Sequence, residues 1–281
     1  DADNLLSPDY IQRMNETFSA GHEIVTSYRN SKNFGDNWIS AGYALWFLRE
    51  SRYLNCARNR LGASAAVGGT GFLFSRRILA ESGGWRFYLL TEDIEFSVYH
   101  ILRGEKIAIC EDAVLYDEQP TDFRQSVRQR LRWAKGYIQV FRRYGAQLLR
   151  GTAKGSWSCF DMSMSILPAF ILTALGLLAN LTLSLLGLAQ GDGAWFALRS
   201  LLECMGSILA TLLVLGGITT ASEWRRIYAP GWKKILYTLT FPLFMLTYLP
   251  ISLAALFMKV EWKPIHHGVK LAGLPTAAEP R

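Results

Sequence analysis

The stretch TEDIEFSVYHILRGEKIAICEDAVLYD, residues 91–117, carries the pattern that decides the fold. Its first half has apolar residues at helical spacing, and the acidic pair Glu92-Asp93 suits the positive end of a helix dipole. Its second half is apolar and follows a glycine, as strands often do. We therefore predict a helix over Glu92–Arg103 and strands over Lys106–Cys110 and Ala113–Asp117.

The same alternation of helices and strands extends upstream. Ser7 and Pro8 are typical of a helix start, and Gly21 is typical of a helix end. Alternating elements of this kind indicate an α/β fold with a partly parallel sheet. The predicted upstream elements are a helix over Asp9–Ala20, a strand over Glu23–Arg29, a helix over Asn37–Arg60, a strand over Phe72–Ser75 and a short helix ending at Ser82.

Charge and hydrophobicity divide the chain into two parts. Half of the 281 residues are hydrophobic and 19% are charged, which excludes a disordered or highly solvated protein. Residues 1–158 hold 21 of the 30 basic and 17 of the 23 acidic residues, so the remainder is strongly apolar. The net charge of +7 suits contact with phosphates, anionic lipid or nucleic acid. The four cysteines lie far apart, as expected of free thiols.

Three apolar stretches in the second part are long enough to cross a bilayer, which takes about 20 helical residues. They predict spans at residues 160–189, 200–222 and 235–258, with Pro168 as a point where the first could bend or re-enter. The loop around Gly191 has no Lys or Arg, whereas the loop after the second span has four. Because Lys and Arg favour the inner side, we predict that residues 1–158 are cytoplasmic. The lysines beyond the third span conflict with that parity, so the side of the C-terminus stays open.

The segment Phe123–Lys154 has nine basic residues, no acidic residue and apolar residues at helical spacing. A basic amphipathic helix that precedes a membrane span is expected to lie in the lipid headgroup plane. We therefore predict contact with the lipid bilayer, with Arg124, Arg142 and Arg143 facing lipid. Nucleic acid would also suit this charge, but the adjoining spans already account for it, so we expect no nucleic acid.

Three short motifs follow one another along the chain. Asp1-Ala2-Asp3 is a DxD motif, Thr91-Glu92-Asp93 opens a helix, and Gln129-Arg130-Leu131-Arg132-Trp133 lies on the basic helix. Their order and spacing, followed by apolar stretches, resemble the processive family-2 membrane glycosyltransferases. That family includes the cellulose, chitin and hyaluronan synthases, and this chain is most similar in character to bacterial N-acetylglucosamine polymer synthases.

The resemblance covers essentially the whole chain and implies the C-terminal portion of a GT-A nucleotide-sugar domain. The chain has no initiator methionine and starts at the DxD motif. We therefore expect an N-terminally truncated protein that lacks the family's upstream nucleobase-binding strand and N-terminal spans.

The resemblance also implies how a UDP-sugar donor is held. Departure of its diphosphate requires neutralisation of negative charge by a divalent cation and basic groups. Carboxylate oxygens are the ligands that Mg²⁺ and Mn²⁺ prefer, so Asp1 and Asp3 are expected to bind Mg²⁺ or Mn²⁺. An Arg guanidinium can bind a diphosphate through its planar fork of N–H groups. The expected diphosphate ligands are Asp1, Asp3, Gln129, Arg130 and Arg132.

The remaining roles concern the glycan acceptor. Its hydroxyl needs a base as it attacks the anomeric carbon, and the resemblance gives this role to Asp93, with Glu92 in support. Trp133 is expected to stack on a sugar face. Gly69 and Thr70 match a small-residue loop near the acceptor end in relatives, although the cysteine found there in cellulose synthases is absent.

The resulting expectation is an inverting, metal-dependent transfer of a hexosyl unit from a UDP-sugar to a growing glycan at the cell membrane. The expected organisation is a catalytic domain at 1–122, an interfacial helix at 123–156 and a transmembrane region at 157–281. Two alternatives stay open. One is a non-processive transferase that makes a lipid-linked or short glycan, and the other is a non-catalytic membrane protein that binds glycan or nucleotide.

Overall fold

A mixed β-sheet forms the centre of the N-terminal part of the computed structural model, which describes residues 4–166, 168–189 and 193–260. The strand order is β1-β4-β2-β3. β2 and β4 run parallel, and the two outer pairs are antiparallel, which confirms the predicted α/β class with a partly parallel sheet. The strands found within the described residues are β1 (Leu5–Leu6), β2 (Ile24–Ser31), β3 (Phe72–Phe74) and β4 (Ile107–Asp117).

The parallel pair β2 and β4 positions two charged residues that are distant in sequence. Its register runs from Ile24 opposite Ile107 to Ser31 opposite Asp117, with a shift after Ser27. The shift leaves residues 111–113 of β4 without a partner on β2, so the two predicted strands are one strand with a bulge. Because the pair is parallel, Arg29 and Asp117 lie at the same edge of the sheet.

Helices surround the sheet at the positions that the sequence pattern predicts. Asn37 caps the second helix, because its side chain accepts from the backbone N–H groups of Ile39 and Ser40 at 3.0 and 3.1 Å. The predicted helix over Asn37–Arg60 is continuous, but its middle, Glu50–Cys56, is a π-helix. The helices of this part are α1 (Tyr10–Ser19), α2 (Trp38–Arg49), α3 (Ala57–Arg60), α4 (Arg76–Glu81) and α5 (Glu92–Ile101).

The basic helix α6 (Phe123–Ala153) is both a surface element and a core element. Val140 and Leu148 are fully buried in the same apolar cluster as Ile24 of the sheet and Leu45 of α2. Its exposed side carries Arg124, Arg128, Arg142 and Arg150. The helix therefore does not lie flat on a surface with only its apolar face covered by lipid, because one face packs against the domain. The buried residues of that face are Ser126, Arg130, Ala134, Gly136, Val140, Tyr144, Gly145 and Leu148.

The first predicted span, residues 160–189, is two helices. They are α7 (Trp157–Ile166) and α8 (Pro168–Ala189), and the separation coincides with Pro168, as expected from its missing N–H. Asp161 of α7 pairs with the buried Arg58 of α3, with Oδ2 and Nε 2.6 Å apart. This charge pair and the burial of Met162 fix α7 to the domain, so a single span over 160–189 is wrong for its first part.

Two further segments are long and apolar enough to cross a membrane among the residues that the structure describes, Leu198–Ser222 and Gly231–Phe257. The first belongs to α9 (Gly193–Ser222), and the second comprises α10 (Gly231–Leu246) and α11 (Tyr248–Phe257). Many of their large apolar side chains are exposed, among them Leu201, Leu202, Leu213, Leu239, Leu243 and Leu253. An exposed apolar surface of this extent suits lipid better than water.

Candidate active site

A cavity of about 500 Å³ lies where the sheet edge meets α2, α5, α6 and the last two helices. It brings together residues from separate sequence segments, which sequence reasoning had assigned to one site. Asp1 and Asp3 fall outside the described residues. The predicted site residues that line the cavity are Gly69, Thr70, Glu92, Asp93, Gln129, Arg132 and Trp133.

The approach of α6 to the start of α5 is possible because residue 136 is a glycine. A Cβ atom at Gly136 would lie 2.5 Å from both Cγ2 and Oγ1 of Thr91, closer than non-bonded atoms can pack. Thr91 is buried and immediately precedes Glu92 and Asp93, so it has little room to move. The missing side chain at Gly136 thus allows the two motifs to line one cavity.

Asp93 has the electrostatic environment of a base that works near neutral pH. Burial raises the pKa of its carboxyl group to about 7, and the neighbouring Glu92 adds to that rise. A hydrogen bond from the Ile94 N–H to Oδ1, 2.8 Å long, and the positive charge of Arg29 oppose the rise in pKa. A carboxyl group with a pKa near 7 can accept a proton in one step of a reaction and release it in the next.

Gln129, Arg132 and Trp133 lie on one face of α6, as their spacing of three and four residues requires. Trp133 is held edge-on by Tyr43 and Phe47, with ring centroids 5.7 and 5.9 Å apart. Arg132 forms no hydrogen bond or ion pair with the part of the chain that the structure describes, so its guanidinium is available to an anion. This face offers a fixed aromatic ring beside a free cation.

Arg130 lies elsewhere, which contradicts the prediction that it binds the donor diphosphate. It is fully buried, and its Nη1 donates to the backbone oxygen of Phe244 at 3.3 Å and to Thr247 Oγ1. The guanidinium also lies over the ring of Phe244, 4.6 Å from the centroid. Each helical residue turns the side chain by about 100°, so Arg130 points away from the cavity that Arg132 lines. Arg130 joins α6 to α10 and α11.

Arg143 is also placed differently from expectation, because it pairs with protein rather than with lipid alone. Its Nη1 lies 3.0 Å from Oε1 of Glu95, a carboxylate with no exposed surface. Glu95 in turn accepts from the backbone N–H groups of Tyr88 and Leu89, both at 3.1 Å. This network fixes the segment that leads into α5. Arg124 and Arg142 are exposed, as predicted.

The turn that carries Gly69 and Thr70 separates Asp93 from the N-terminal segment. Gly69 has a φ of +81°, and a Cβ atom there would lie 3.3 Å from Asp93 Oδ2. Asn4 Nδ2 donates to Thr70 Oγ1 at 2.6 Å. The turn therefore packs on the Asp93 carboxylate at one residue and binds Asn4 at the next.

Sequence reasoning missed several residues that line the cavity. Arg29 and Asp117 form an ion pair, with Nε donating to Oδ2 at 2.6 Å. Each is the last residue of a strand predicted from the sequence, and charged residues at the ends of parallel strands are a signal that could have identified the pair. The π-helix contributes Glu50, and no sequence pattern marks that geometry. Other residues of this kind are Trp46, Phe47, Glu118, Tyr137 and Tyr248.

The described residues do not make a metal site by themselves. They contain no group of three or more His, Cys, Asp and Glu side chains that could hold an ion. Asp117 lines the cavity, but its carboxylate is already engaged by Arg29. Asn4, the residue after the DxD motif, also lines the cavity. A divalent cation here would therefore depend on Asp1 and Asp3.

Comparison with known proteins agrees with this site. Residues 1–136 match the family described as "Glycosyltransferase like family 2". The chain is 31% identical over 86 residues to the probable glycosyltransferase YdaM of Bacillus subtilis (strain 168). It is 25% identical over 164 residues to probable glucomannan 4-beta-mannosyltransferase 3 of Arabidopsis thaliana. It is 23% identical over 175 residues to a UDP-forming cellulose synthase of Dictyostelium discoideum, in its catalytic chain.

These alignments cover 31%, 56% and 62% of this chain but only 20%, 29% and 16% of the relatives. The chain thus spans less than a third of each relative's length. The match confirms the resemblance at the level of family 2, while the narrower likeness to N-acetylglucosamine polymer synthases stays a prediction. Residues 1–136 are therefore a glycosyltransferase domain of the family 2 type.

Proposed function

We propose that the chain transfers a hexosyl unit from a UDP-sugar to a growing glycan, with inversion at the anomeric carbon. The observation that carries this proposal is the cavity in which Asp93, with a pKa of about 7, faces the same space as Arg132 and Trp133. A base, a free cation and an aromatic ring are what attack by a sugar hydroxyl on an activated sugar requires.

In the proposed reaction, the acceptor hydroxyl attacks the anomeric carbon and the bond from that carbon to the diphosphate oxygen breaks. The hydroxyl proton passes to a carboxylate oxygen of Asp93. The leaving diphosphate carries away the bonding electrons, and its charge is stabilised by the Arg132 guanidinium and the Gln129 amide. Glu92 raises the pKa of Asp93 and so strengthens it as a base.

The acceptor would lie against Trp133, whose ring is held in place by two other aromatic side chains. Gly69 and Thr70 would approach it closely, because their turn packs on Asp93. Asp1 and Asp3 would hold Mg²⁺ or Mn²⁺. When bound, such an ion neutralises charge on the diphosphate.

The proposal includes a membrane location, with residues 1–158 in the cytoplasm. The turn between the two candidate spans packs against the catalytic domain: Glu223 Oε1 lies 2.7 Å from Arg52 Nη1. Asn30 Nδ2 donates to the backbone oxygen of Arg226 at 2.9 Å, and Lys233 Nζ donates to that of Gly35 at 2.6 Å. If both segments cross a bilayer, this turn and the domain lie on the same side, and the Lys and Arg residues of the turn favour the inside.

The enzymatic proposal is tested by supplying membranes that contain the protein with radiolabelled donors. UDP-glucose, UDP-N-acetylglucosamine and UDP-glucuronate are compared, together with a nucleotide-activated mannose because of the plant relatives. Label in an insoluble or high-molecular-weight glycan supports the proposal, and label extracted with lipid or in a short glycan indicates the non-processive alternative. No incorporation above the Asp93→Asn variant from any donor would contradict it.

The location is tested with an impermeant thiol reagent on intact cells. Cys204 is exposed, so the background should carry Cys204→Ser. A cysteine placed at Gly191 should be labelled, and one placed at Trp232, in the turn that packs on the domain, should be protected. The opposite pattern would contradict the orientation.

A further inference from the structure

We propose that Arg29 is a positioning residue for the transfer reaction: it ties the sheet edge to the turn over Asp93 and keeps that carboxylate ionised near neutral pH. The inference rests on the proposed function of Asp93 as the base. It adds a residue from β2, outside the three motifs that the sequence singles out.

The backbone of Arg29 is fixed from the π-helix. Ser51 Oγ accepts from the Arg29 N–H at 3.0 Å and donates to the Arg29 carbonyl oxygen at 3.1 Å. Ser51 is itself buried. Both backbone groups of Arg29 are thus bound by one side chain, which leaves its own side chain a defined starting point.

The side chain of Arg29 is fully engaged by the protein. Two of its nitrogens contact Asp117 Oδ2, with the Nε bond 2.6 Å long, and Asp117 also accepts from Gln119. The guanidinium carbon lies 3.5 Å from the centroid of the Phe47 ring, which covers one face of the cation. With its fork on a carboxylate and one face on a ring, Arg29 is not free to bind a diphosphate, in contrast to Arg132.

The remaining arm of Arg29 reaches the turn next to the base. Its Nη1 donates to the backbone oxygen of Gly68 at 2.8 Å. The next residue, Gly69, packs on Asp93 Oδ2, and Thr70 binds Asn4. Arg29 therefore fixes a turn that contacts the base directly.

Arg29 also acts on Asp93 through its charge. Among the groups that face this carboxyl, Glu92 on α5 and Glu50 on the π-helix raise its pKa, as does burial, while Arg29 on β2 lowers it. Arg132 and Tyr137 of α6 line the same cavity. Loss of the Arg29 charge should therefore raise the pKa of Asp93 further and leave less of the base ionised at pH 7.

The test is the pH dependence of kcat/KM for sugar transfer in Arg29→Gln and Arg29→Lys, with Arg60→Gln as the control. Arg60 is an exposed arginine whose ion pair with Glu111 lies outside the cavity. In Arg29→Gln, the acidic limb should move up by about one pH unit, which lowers the rate at pH 7 about fivefold through base ionisation alone. Arg29→Lys should keep the limb in place and lose about tenfold at every pH, because an ammonium cannot bridge Asp117 and Gly68 as a planar fork does.

Asp117→Asn provides a change of opposite sign and covers the case in which Arg29→Gln does not fold. It leaves the Arg29 charge without its carboxylate partner, so the acidic limb should move to lower pH. An acidic limb of Arg29→Gln at the wild-type position, or the same upward shift in Arg29→Lys, would overturn the proposal.

A second readout does not depend on catalysis. Carbodiimides react with protonated carboxyl groups, so the pH midpoint of Asp93 labelling, followed by mass spectrometry, reports its protonation. The midpoint should rise in Arg29→Gln and stay unchanged in Arg29→Lys and Arg60→Gln. If the wild-type protein transfers no sugar but the midpoint rises, the proposed function fails and the action of Arg29 on Asp93 stands; an unchanged midpoint in Arg29→Gln overturns it.

Discussion

Helix α6 has two faces with similar residue types and different work. The cavity face presents Gln129, Arg132 and Trp133 to open space. The core face places Arg130 against Phe244 and packs Val140 and Leu148 among the apolar residues of the domain. Both faces contain arginine beside aromatic rings, so composition does not distinguish them.

The difference between Arg130 and Arg132 shows that partners decide the role of a charged residue. Arg130 has no exposed surface, and backbone oxygen, a hydroxyl group and a ring surround it. Arg132 is partly exposed and has no bonding partner among the described residues. Changes on the cavity face should therefore alter activity with little effect on folding, and changes on the core face should do the reverse.

The largest effect is expected at the group that the cavity face of α6 opposes, Asp93. Asp93→Asn should lower transfer by about 10²–10⁴-fold, the usual contribution of a general base. Glu92→Gln, its matched control, should cost less than about tenfold, because Glu92 acts only through Asp93. The rates are measured with a labelled donor in membranes, and retention of a tenth of the wild-type rate in Asp93→Asn would refute the assignment.

The same variant should separate activity from stability. The pKa of Asp93 in the folded protein, about 7, lies above its unfolded value, so the ionised carboxylate disfavours folding progressively from about pH 4 to pH 7. Asn carries no charge and escapes that cost. Thermal melting at pH 8 should therefore show Asp93→Asn to be at least as stable as wild type.

The second comparison is between the two arginines themselves. Arg132→Lys keeps the charge but loses the planar fork, so turnover should fall at least tenfold, about 1.4 kcal/mol in the barrier, without a change in Tm. Arg130→Gln leaves buried groups unsatisfied and should lower stability by about 1–3 kcal/mol. Activity assays and melting curves of both variants check this, and matching losses in both readouts would remove the distinction between the faces.

A smaller effect is expected where α6 touches α5. Gly136→Ala places a methyl group against the buried Thr91, so the helix must shift by a few tenths of an ångström or more away from Asp93. We expect transfer to fall several-fold. Gly206→Ala in α9 is the control, because no atom lies within 4 Å of a Cβ at that position. Equal activities of the two variants would mean that the close approach of α5 and α6 is not needed.

The smallest effect is expected on the outer part of the helix. Arg143→Gln removes the ion pair of the buried Glu95 and should cost about 1 kcal/mol, seen as a Tm lower by a few degrees. Arg142→Gln changes an exposed arginine of the same segment and should leave Tm within error. Equal Tm values for the two variants would show that both side chains meet only solvent or lipid, as the sequence alone suggested.

Much of the fold follows from local patterns. The start of α5 at Glu92, the extent of α6 and the alternation of helices and strands are encoded in short stretches, so periodicity and capping predicted them. The first apolar stretch was predicted as one span because hydropathy counts residues. It does not report that Asp161 has a partner 103 positions earlier, in Arg58.

The candidate site was predictable only where its residues share a motif. Gln129, Arg132 and Asp93 belong to short patterns, but Arg130 belongs to the same pattern and turns the other way. Arg29 and Asp117 are 88 positions apart and meet only because β2 and β4 run parallel. A sequence pattern gives spacing along one element, whereas such pairs depend on which elements become neighbours.

The most direct test of the account is the pH dependence of kcat/KM for the wild-type protein with its preferred donor. If Asp93 in this cavity is the base, its pKa of about 7 places the acidic limb near pH 7, and the rate falls tenfold per pH unit below it. The limb should be absent from the residual rate of Asp93→Asn. A rate that stays constant down to pH 5, as a carboxylate with an ordinary pKa near 4 would give, would contradict the account.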